Sequence, residues 1–141
     1  MDSREQLPLE FRPGVFDEIV TKGMPFADYW LEIEEKEVPI MFERKGLGDL
    51  FGTMGNGYER FKLEMGKAKQ MECHLFLLIE GSMQQVWQGY EHSTISGDSM
   101  LKKLAMLRVR YDLDVHFFNS RREMARFIEE IFSAVVRNYG V

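Results

Sequence analysis

The stretch MFERKGLGDLFGTM, residues 41–54, starts with apolar strand-like residues, meets three consecutive charges at Glu43, Arg44 and Lys45, and then changes its period. Residues 38–44, VPIMFER, are rich in bulky and β-branched side chains, whereas Leu47, Leu50, Phe51 and Met54 recur at helical spacing. The three charges therefore stand where a predicted strand hands over to a predicted helix.

Upstream, residues 26–33, FADYWLEI, form a second strand-like run, and Glu34-Glu35-Lys36-Glu37 between the two is a short polar link suited to a hairpin. Downstream, Phe61, Met65 and Ala68 predict a second helix after the glycine-rich break Gly55-Asn56-Gly57. LFLLI, residues 75–79, is an unbroken apolar run ending in Glu80-Gly81, the pattern of a strand covered on both faces. The segment around Trp87 has no clear period. Leu101, Leu104, Ala105 and Leu107 then predict a helix following Ser96-Gly97-Asp98, and Val115 to Phe118 predict another buried strand. Ser120 with Glu123 three residues later forms a predicted capping box for a last helix, whose stripe is Phe127, Ile128, Ile131 and Val135. Strands alternating with helices imply parallel strands joined by right-handed crossovers, so the expected class is α/β with an antiparallel hairpin at its front.

The chain has 141 residues, 45% of them hydrophobic, which is enough for one core; a single domain over 1–141 is expected. No run of eighteen apolar residues exists, and MDSREQLPLEF lacks the layout of a secretory leader, so a soluble intracellular protein without a membrane partner is expected. One cysteine, Cys73, excludes an internal disulfide and a CxxC site. Adjacent residues of a strand point to opposite faces, so Cys73 and His74 are not a metal pair; His92 and His116 have no helpful spacing to carboxylates. The net charge of −5 does not advertise nucleic-acid binding, leaving any such role to local basic patches. Arg60, Lys62, Lys67 and Lys69 are the candidates for phosphate contacts if DNA binds, beside a GTMGNG stretch (52–57) whose small residues would admit a phosphate backbone. Trp30 and Trp87 read as core or interface aromatics, and the ten methionines as packing residues.

Symmetrical pairing around the four-residue link sets Ile33 opposite Val38 and Asp28 opposite Glu43. Like charges directly opposed in an antiparallel pair repel and need compensation. The period of two returns Lys45 to the face of Glu43, so two carboxylates and an ammonium converge at one end of the hairpin. Magnesium takes hard oxygen ligands, often only one or two of them from protein carboxylates, with phosphate oxygens filling other positions. Two readings fit this geometry: a metal site for phosphodiester hydrolysis, or an exposed hairpin with a plain Asp–Lys ion pair.

Glu43-Arg44-Lys45 followed by Asp49 resembles the ERKxxxD signature of the XPF/Hef-type structure-specific DNA endonucleases, which belong to the restriction-endonuclease-like superfamily. Asp2-Ser3-Arg4-Glu5 looks like that family's DxRE motif, Asp28-Tyr29 its Gly-Asp-Tyr motif, and GYERFKLEM, LFLLIEG and DVHFF the elements that follow, so the resemblance spans essentially the whole chain. It implies a central mixed β-sheet flanked by α-helices, with the N-terminal hairpin carrying the active site. It also implies a magnesium- or manganese-dependent endonuclease acting on branched, flapped or forked DNA. In that reading Asp28 and Glu43 bind the metal, with Glu5 and Asp2 adding to them. Lys45 is the catalytic lysine, Arg44 is required for activity, and Asp49 supports the constellation. Ala27 replaces the family's glycine, the chain starts one residue before Asp2 where relatives have a full first strand, and the tandem helix-hairpin-helix module common in that family is not expected after the last helix. A homodimer, or a heterodimer with a DNA-binding subunit, is the expected assembly. The expected compartment is the cytoplasm or nucleoid in a prokaryotic or viral setting and the nucleus in a eukaryote. A non-catalytic nuclease-like DNA- or partner-binding subunit is the alternative.

Overall fold

The computed structural model describes residues 9, 11–12, 28–33 and 36–138. In chain order their elements are β1 (Tyr29–Ile33), β2 (Lys36–Gly46), α1 (Leu47–Met54), α2 (Tyr58–Gln70), β3 (His74–Glu80), α3 (Met83–Gln88), α4 (Gly97–Tyr111), β4 (Asp114–Phe118) and α5 (Arg121–Asn138). The sheet has the order β1-β2-β3-β4, with β1 antiparallel to β2, and β2, β3 and β4 mutually parallel. A mixed sheet with a hairpin at one side is what the sequence predicts.

β3 is the centre of the sheet because LFLLI has no polar side to offer water: all five residues are buried. Strand alternation splits them. Leu75, Leu77 and Ile79 join one cluster with Leu50, Phe51, Met54, Phe61, Met65, Leu104 and Leu107, while Phe76 and Leu78 join another with Phe42, Met124, Ala125 and Ile128. Helices α1, α2 and α4 thus cover one face and α5 the other. Each such fully buried side chain contributes about 1.5–3 kcal/mol relative to exposure, so the two-sided burial of β3 dominates the stability of the centre.

The hairpin differs from the predicted one at its closed end and agrees at its open end. Ile33 pairs with Lys36, not Val38, and Glu32 with Glu37, so strand pairing continues where a four-residue link was expected. The register then shifts between Trp30 and Glu32, and the open end resumes as Trp30 with Met41 and Tyr29 with Phe42. Pro39 lies in the irregular part, where its missing N–H cannot be missed by a regular ladder. The open-end register is the one that sets Asp28 against Glu43.

Other expectations are corrected in detail. Among the described strands β4 stands at the edge, and it is half-buried along its length, not buried. Ala105 is exposed, and the α4 stripe runs through Met100, Leu104 and Leu107. Ser120 Oγ accepts from the Glu123 amide at 3.2 Å, but the Glu123 carboxylate accepts from the amide of Asn119, not that of Ser120. The buried stripe of α5 includes Met124, Ala125, Ile128, Val135 and the carboxylate of Glu129. Trp87 is 61% exposed, so it is not core, and Met71, Met83 and Met106 are exposed as well. The unassigned segment is α3, capped by reciprocal bonds between Ser82 and Gln85. No helix among the described residues is long and apolar enough to cross a membrane.

Candidate active site at the open end of the hairpin

Asp28 stands at the described end of the β1–β2 ladder. Its amide donates to the Phe42 carbonyl at 2.9 Å, and its carboxylate oxygen Oδ2 then accepts from the Arg44 amide, also at 2.9 Å. This bond fixes the carboxylate beside β2.

Glu43 and Lys45 lie on the same face of β2, with Lys45 Nζ 3.4 Å from Glu43 Oε2. Their side chains are only 14% and 15% exposed, so the pair sits in a medium poorer in water than a surface ion pair. Burial, then the negative charge of Asp28, pushes the Glu43 carboxyl from 4.5 up to about 8, with Lys45 offsetting only part of this. With its proton on, Glu43 leaves Asp28 and Lys45 in balance; losing it adds a negative charge that the one ammonium does not neutralise. Such a donor set fits a hard divalent cation: oxygen ligands from two carboxylates, one of which keeps its proton unless further positive charge arrives. Among the described residues no group of three or more His, Cys, Asp or Glu side chains is arranged to hold a metal. Asp2, Arg4 and Glu5 lie outside the described residues.

Arg44 behaves differently from its neighbours. Alternation turns its side chain to the face of Phe42, opposite Glu43 and Lys45, and it is buried there. Its backbone amide meets Asp28, while alternation sends its side chain to the other face of β2. Asp49 stands exposed in the first turn of α1, where the helix dipole favours negative charge.

The four proposed phosphate-contacting cations are not equivalent. Arg60 is largely exposed, Lys62 pairs with Glu59 at 3.0 Å beneath the Tyr58 ring, and Lys69 Nζ donates to the Arg110 carbonyl at 2.8 Å. Lys67 is exposed. Arg60 and Lys67 are therefore the more available, and Lys62 and Lys69 have structural duties. Cys73 packs toward the α1–α2–α4 cluster while His74 faces the other way against Phe76, as alternation requires. Burial, with the charge of Glu37, pushes the Cys73 thiol up, away from the thiolate that ligation needs.

Sequence reading missed Glu64. Its charge reaches Glu43, and that of Lys45 reaches it in turn. The signal was available: three residues after Phe61 and four before Ala68, Glu64 occupies a helical stripe that is otherwise apolar.

A mixed sheet covered by helices on both faces, with the ERK triplet closing a strand beside an antiparallel hairpin, defines a restriction-endonuclease-like α/β domain. The ERCC4 domain family model matches residues 1–131, and the chain belongs to that family. Among solved structures it is similar to XPF from Aeropyrum pernix, with a TM-score of 0.62 and 18% identity over 82% of this chain and 52% of that one. It is also similar to XPF from Aeropyrum pernix in complex with DNA, with a TM-score of 0.55 and 15% identity over 83% of this chain and 52% of that one. The chain thus spans about half the length of the structures it matches. No curated protein sequence matches it.

Proposed function

We propose that this chain is a magnesium- or manganese-dependent DNA endonuclease that hydrolyses phosphodiester bonds in branched, flapped or forked DNA. The observation that carries the reading is the convergence of Asp28 and Glu43 from two antiparallel strands beside the ammonium of Lys45. Asp28 and Glu43 would hold the cation, joined by Glu5 and Asp2. A divalent ion bound there supplies Lewis-acid polarisation of a phosphoryl oxygen. Asp28 is oriented for this by the Arg44 amide, and Glu43 by the buried face of β2. Lys45 donates hydrogen bonds toward the reacting phosphate and offsets the charge developing on it, which is worth more in a water-poor site than at a surface. Arg44 acts by securing β2 from its opposite face, Asp49 supports the start of α1, and Arg60 and Lys67, with Lys62 and Lys69, contact the DNA backbone. The DNA-bound Aeropyrum pernix XPF supports DNA as the partner class. A dimer, with itself or with a DNA-binding subunit, fits the same reading.

Retention of Asp28, Glu43, Arg44 and Lys45 together favours an active domain over the non-catalytic alternative. The test is purified protein with labelled flap, fork and linear duplex DNA and manganese. Cleavage of the branched substrates that is lost in Asp28→Asn and Glu43→Gln supports the reading. Absence of cleavage with and without a candidate partner subunit, or cleavage indifferent to both substitutions, overturns it.

A further inference from the structure

Helix α1 carries glycine at 48 and 52, and Gly55 caps its end. Two of the three are explained by what lies over them. A side chain at Gly48 would put its first carbon 3.1 Å from the Tyr90 hydroxyl oxygen, and one at Gly55 would put it 3.1 Å from Ile95 Cδ1. At Gly52, between them, none of the described residues comes within 4 Å of that position. Glycine weakens a helix interior relative to alanine, and no neighbour at 52 requires it.

The space belongs to residues 89–96, which connect α3 to α4 and are pinned on α1 at two points. Tyr90 stacks on the buried ring of Phe51 with centroids 5.8 Å apart and lays its hydroxyl on Gly48, while Ile95 packs on Gly55. The turn between them is braced within itself. The Ser93 amide donates to the Tyr90 carbonyl at 2.9 Å, and the Ser93 hydroxyl accepts from the Ile95 amide at 3.1 Å. Between this bridge and Gly52 is a groove of about 310 Å³, at the small end of the range for ligand sites. None of its lining residues is Asp, Glu, Lys or Arg; the polar groups are those of Asn56, Ser93 and Thr94, and Tyr90 and His92 supply aromatic surface. His92 meets the Tyr90 ring edge-on at 5.4 Å and is 72% exposed, so most of its ring is open to a ligand. Its Nε2 lies 3.3 Å from the exposed Glu91, a pair that solvent screens.

The groove adjoins the candidate site. Lys45 pairs with Ile79 and Gly46 with Glu80, so β2 and β3 end side by side, and Leu47 Cδ2 lies 2.9 Å from where a first side-chain carbon at Gly81 would stand. Helix α1 leaves from one of these strand ends and the path to α3 from the other. With successive Cα atoms 3.8 Å apart, Gly48 is no more than about 11 Å from Lys45.

We infer that this groove takes one unpaired base of the DNA substrate, stacked against His92 and Tyr90 over Gly52, close to the phosphate presented to Lys45. The inference rests on the endonuclease reading above and names the feature of a branch that the site would select. An uncharged slot with aromatic walls is poorly suited to a phosphate or a cation, whereas every base has a face that stacks and edges that bond to amides and hydroxyls. A base within a duplex is already stacked and paired, and extruding it costs energy that is least where the strand is already single. The groove therefore favours a flap or fork over linear duplex.

The experiment measures binding of the full chain to flap DNA by fluorescence anisotropy in EDTA, where nothing is cut, with a single abasic nucleotide walked through the unpaired positions at the junction. In the parent, removing the base at one position should weaken binding by about fivefold or more, and removing its neighbours by less than about twofold. Gly52→Leu fills the groove and, with open space at its first carbon and a better helix former in place, should melt no lower than the parent. It should bind the intact flap as weakly as the parent binds the abasic one, and should not respond to that abasic position. His92→Ala, which removes an exposed ring and leaves the core untouched, should show most of the same loss and decides the matter if Gly52→Leu folds poorly. Both variants should bind linear duplex within about twofold of the parent. Parent affinity that ignores every abasic position, or an abasic penalty as large in His92→Ala as in the parent, overturns this inference while leaving the endonuclease reading in place. Failure of the parent to bind any of these DNAs, or cleavage indifferent to Asp28→Asn and Glu43→Gln, sinks the endonuclease reading and this inference with it.

Discussion

Oδ2 of Asp28 accepts a hydrogen bond from the amide of Arg44 at 2.9 Å, so one catalytic candidate is fixed by the backbone of the strand that carries the others. This bond decides what a substitution there tests. Asn at 28 keeps a carbonyl oxygen for the same amide and removes only the charge. Asp28→Asn is therefore expected to melt within about 1 kcal/mol of the parent while losing cleavage by about a hundredfold or more, read by thermal denaturation and single-turnover assay. Equal loss of fold and activity would mean that the carboxylate serves the hairpin alone.

The Glu43 carboxyl, pushed up to about 8 chiefly by burial and next by Asp28, makes the metal-free protein pH-sensitive in a defined direction. The folded state holds this proton more tightly than the unfolded chain does. Stability from this group is thus fully present below 4.5 and is lost as pH rises through about 8. Chelator-treated protein should be less stable at pH 9 than at pH 6, and Glu43→Gln should remove most of that difference. Denaturant titrations at the two pH values check this; a parent slope retained in Glu43→Gln would assign it to another group.

The proposed cation would meet the same proton. Below about 8 a cation binding there would have to displace it, so apparent affinity is expected to rise with pH and each ion bound to release close to one proton. Manganese calorimetry in buffers of different ionisation enthalpy measures that release directly. Binding without proton release at pH 6.5 would place the ion elsewhere.

How far the sequence discloses this molecule depends on how local each cause is. LFLLI has no polar alternate residues and so reads directly as a central strand, and Ser120 before α5 is a cap recognisable from its neighbours. The pairing of the hairpin's open end is also legible, since Tyr29–Phe42 and Trp30–Met41 share the register that a symmetrical loop gives. Its closed end is not, because the irregularity near Pro39 absorbs residues that no local rule counts. Helix α3, with one buried residue, Val86, lacks an apolar period to find. The face taken by Arg44 follows from simple alternation, but the importance of the ERK triplet as a unit hid it. Ties between distant residues leave no pattern at all, as with Arg12 and Glu129, 117 positions apart.

That distant tie gives a stability prediction. Glu129 is only 2% exposed and accepts from Arg12 Nε at 2.6 Å and from the Arg12 amide at 2.9 Å. Burial alone would raise its carboxyl, but the two Arg12 hydrogen bonds and the Arg12 charge hold it below the ordinary value. The contribution is present above the unfolded pKa and lost as pH falls through the lowered folded one. Arg12→Ala should cost about 1–2 kcal/mol at pH 7, discounted because the guanidinium is mostly exposed, and less at pH 3. An equal cost at both pH values would show that the loss is one of packing.

Lys103 offers a test of how α1 is held. This helix is short and carries Gly48 and Gly52, so its intrinsic propensity is poor, and the amide of its N-cap residue, Gly46, is followed by no side-chain cap. At the other end Lys103 Nζ, 4.5 Å from the Tyr58 ring centroid, donates to the carbonyl of Met54 at 2.7 Å. A cation at a helix C-terminus satisfies an orphan acceptor and complements the dipole. Lys103→Met keeps most of the apolar stem while deleting both contacts, and is expected to destabilise by about 1–2 kcal/mol. Because α1 begins two residues after Lys45, loosening it should also increase amide hydrogen exchange across residues 47–54 while leaving β3 protected. Faster exchange confined to α1 supports this anchoring role, whereas uniform loss across the sheet would show that Lys103 supports the whole core.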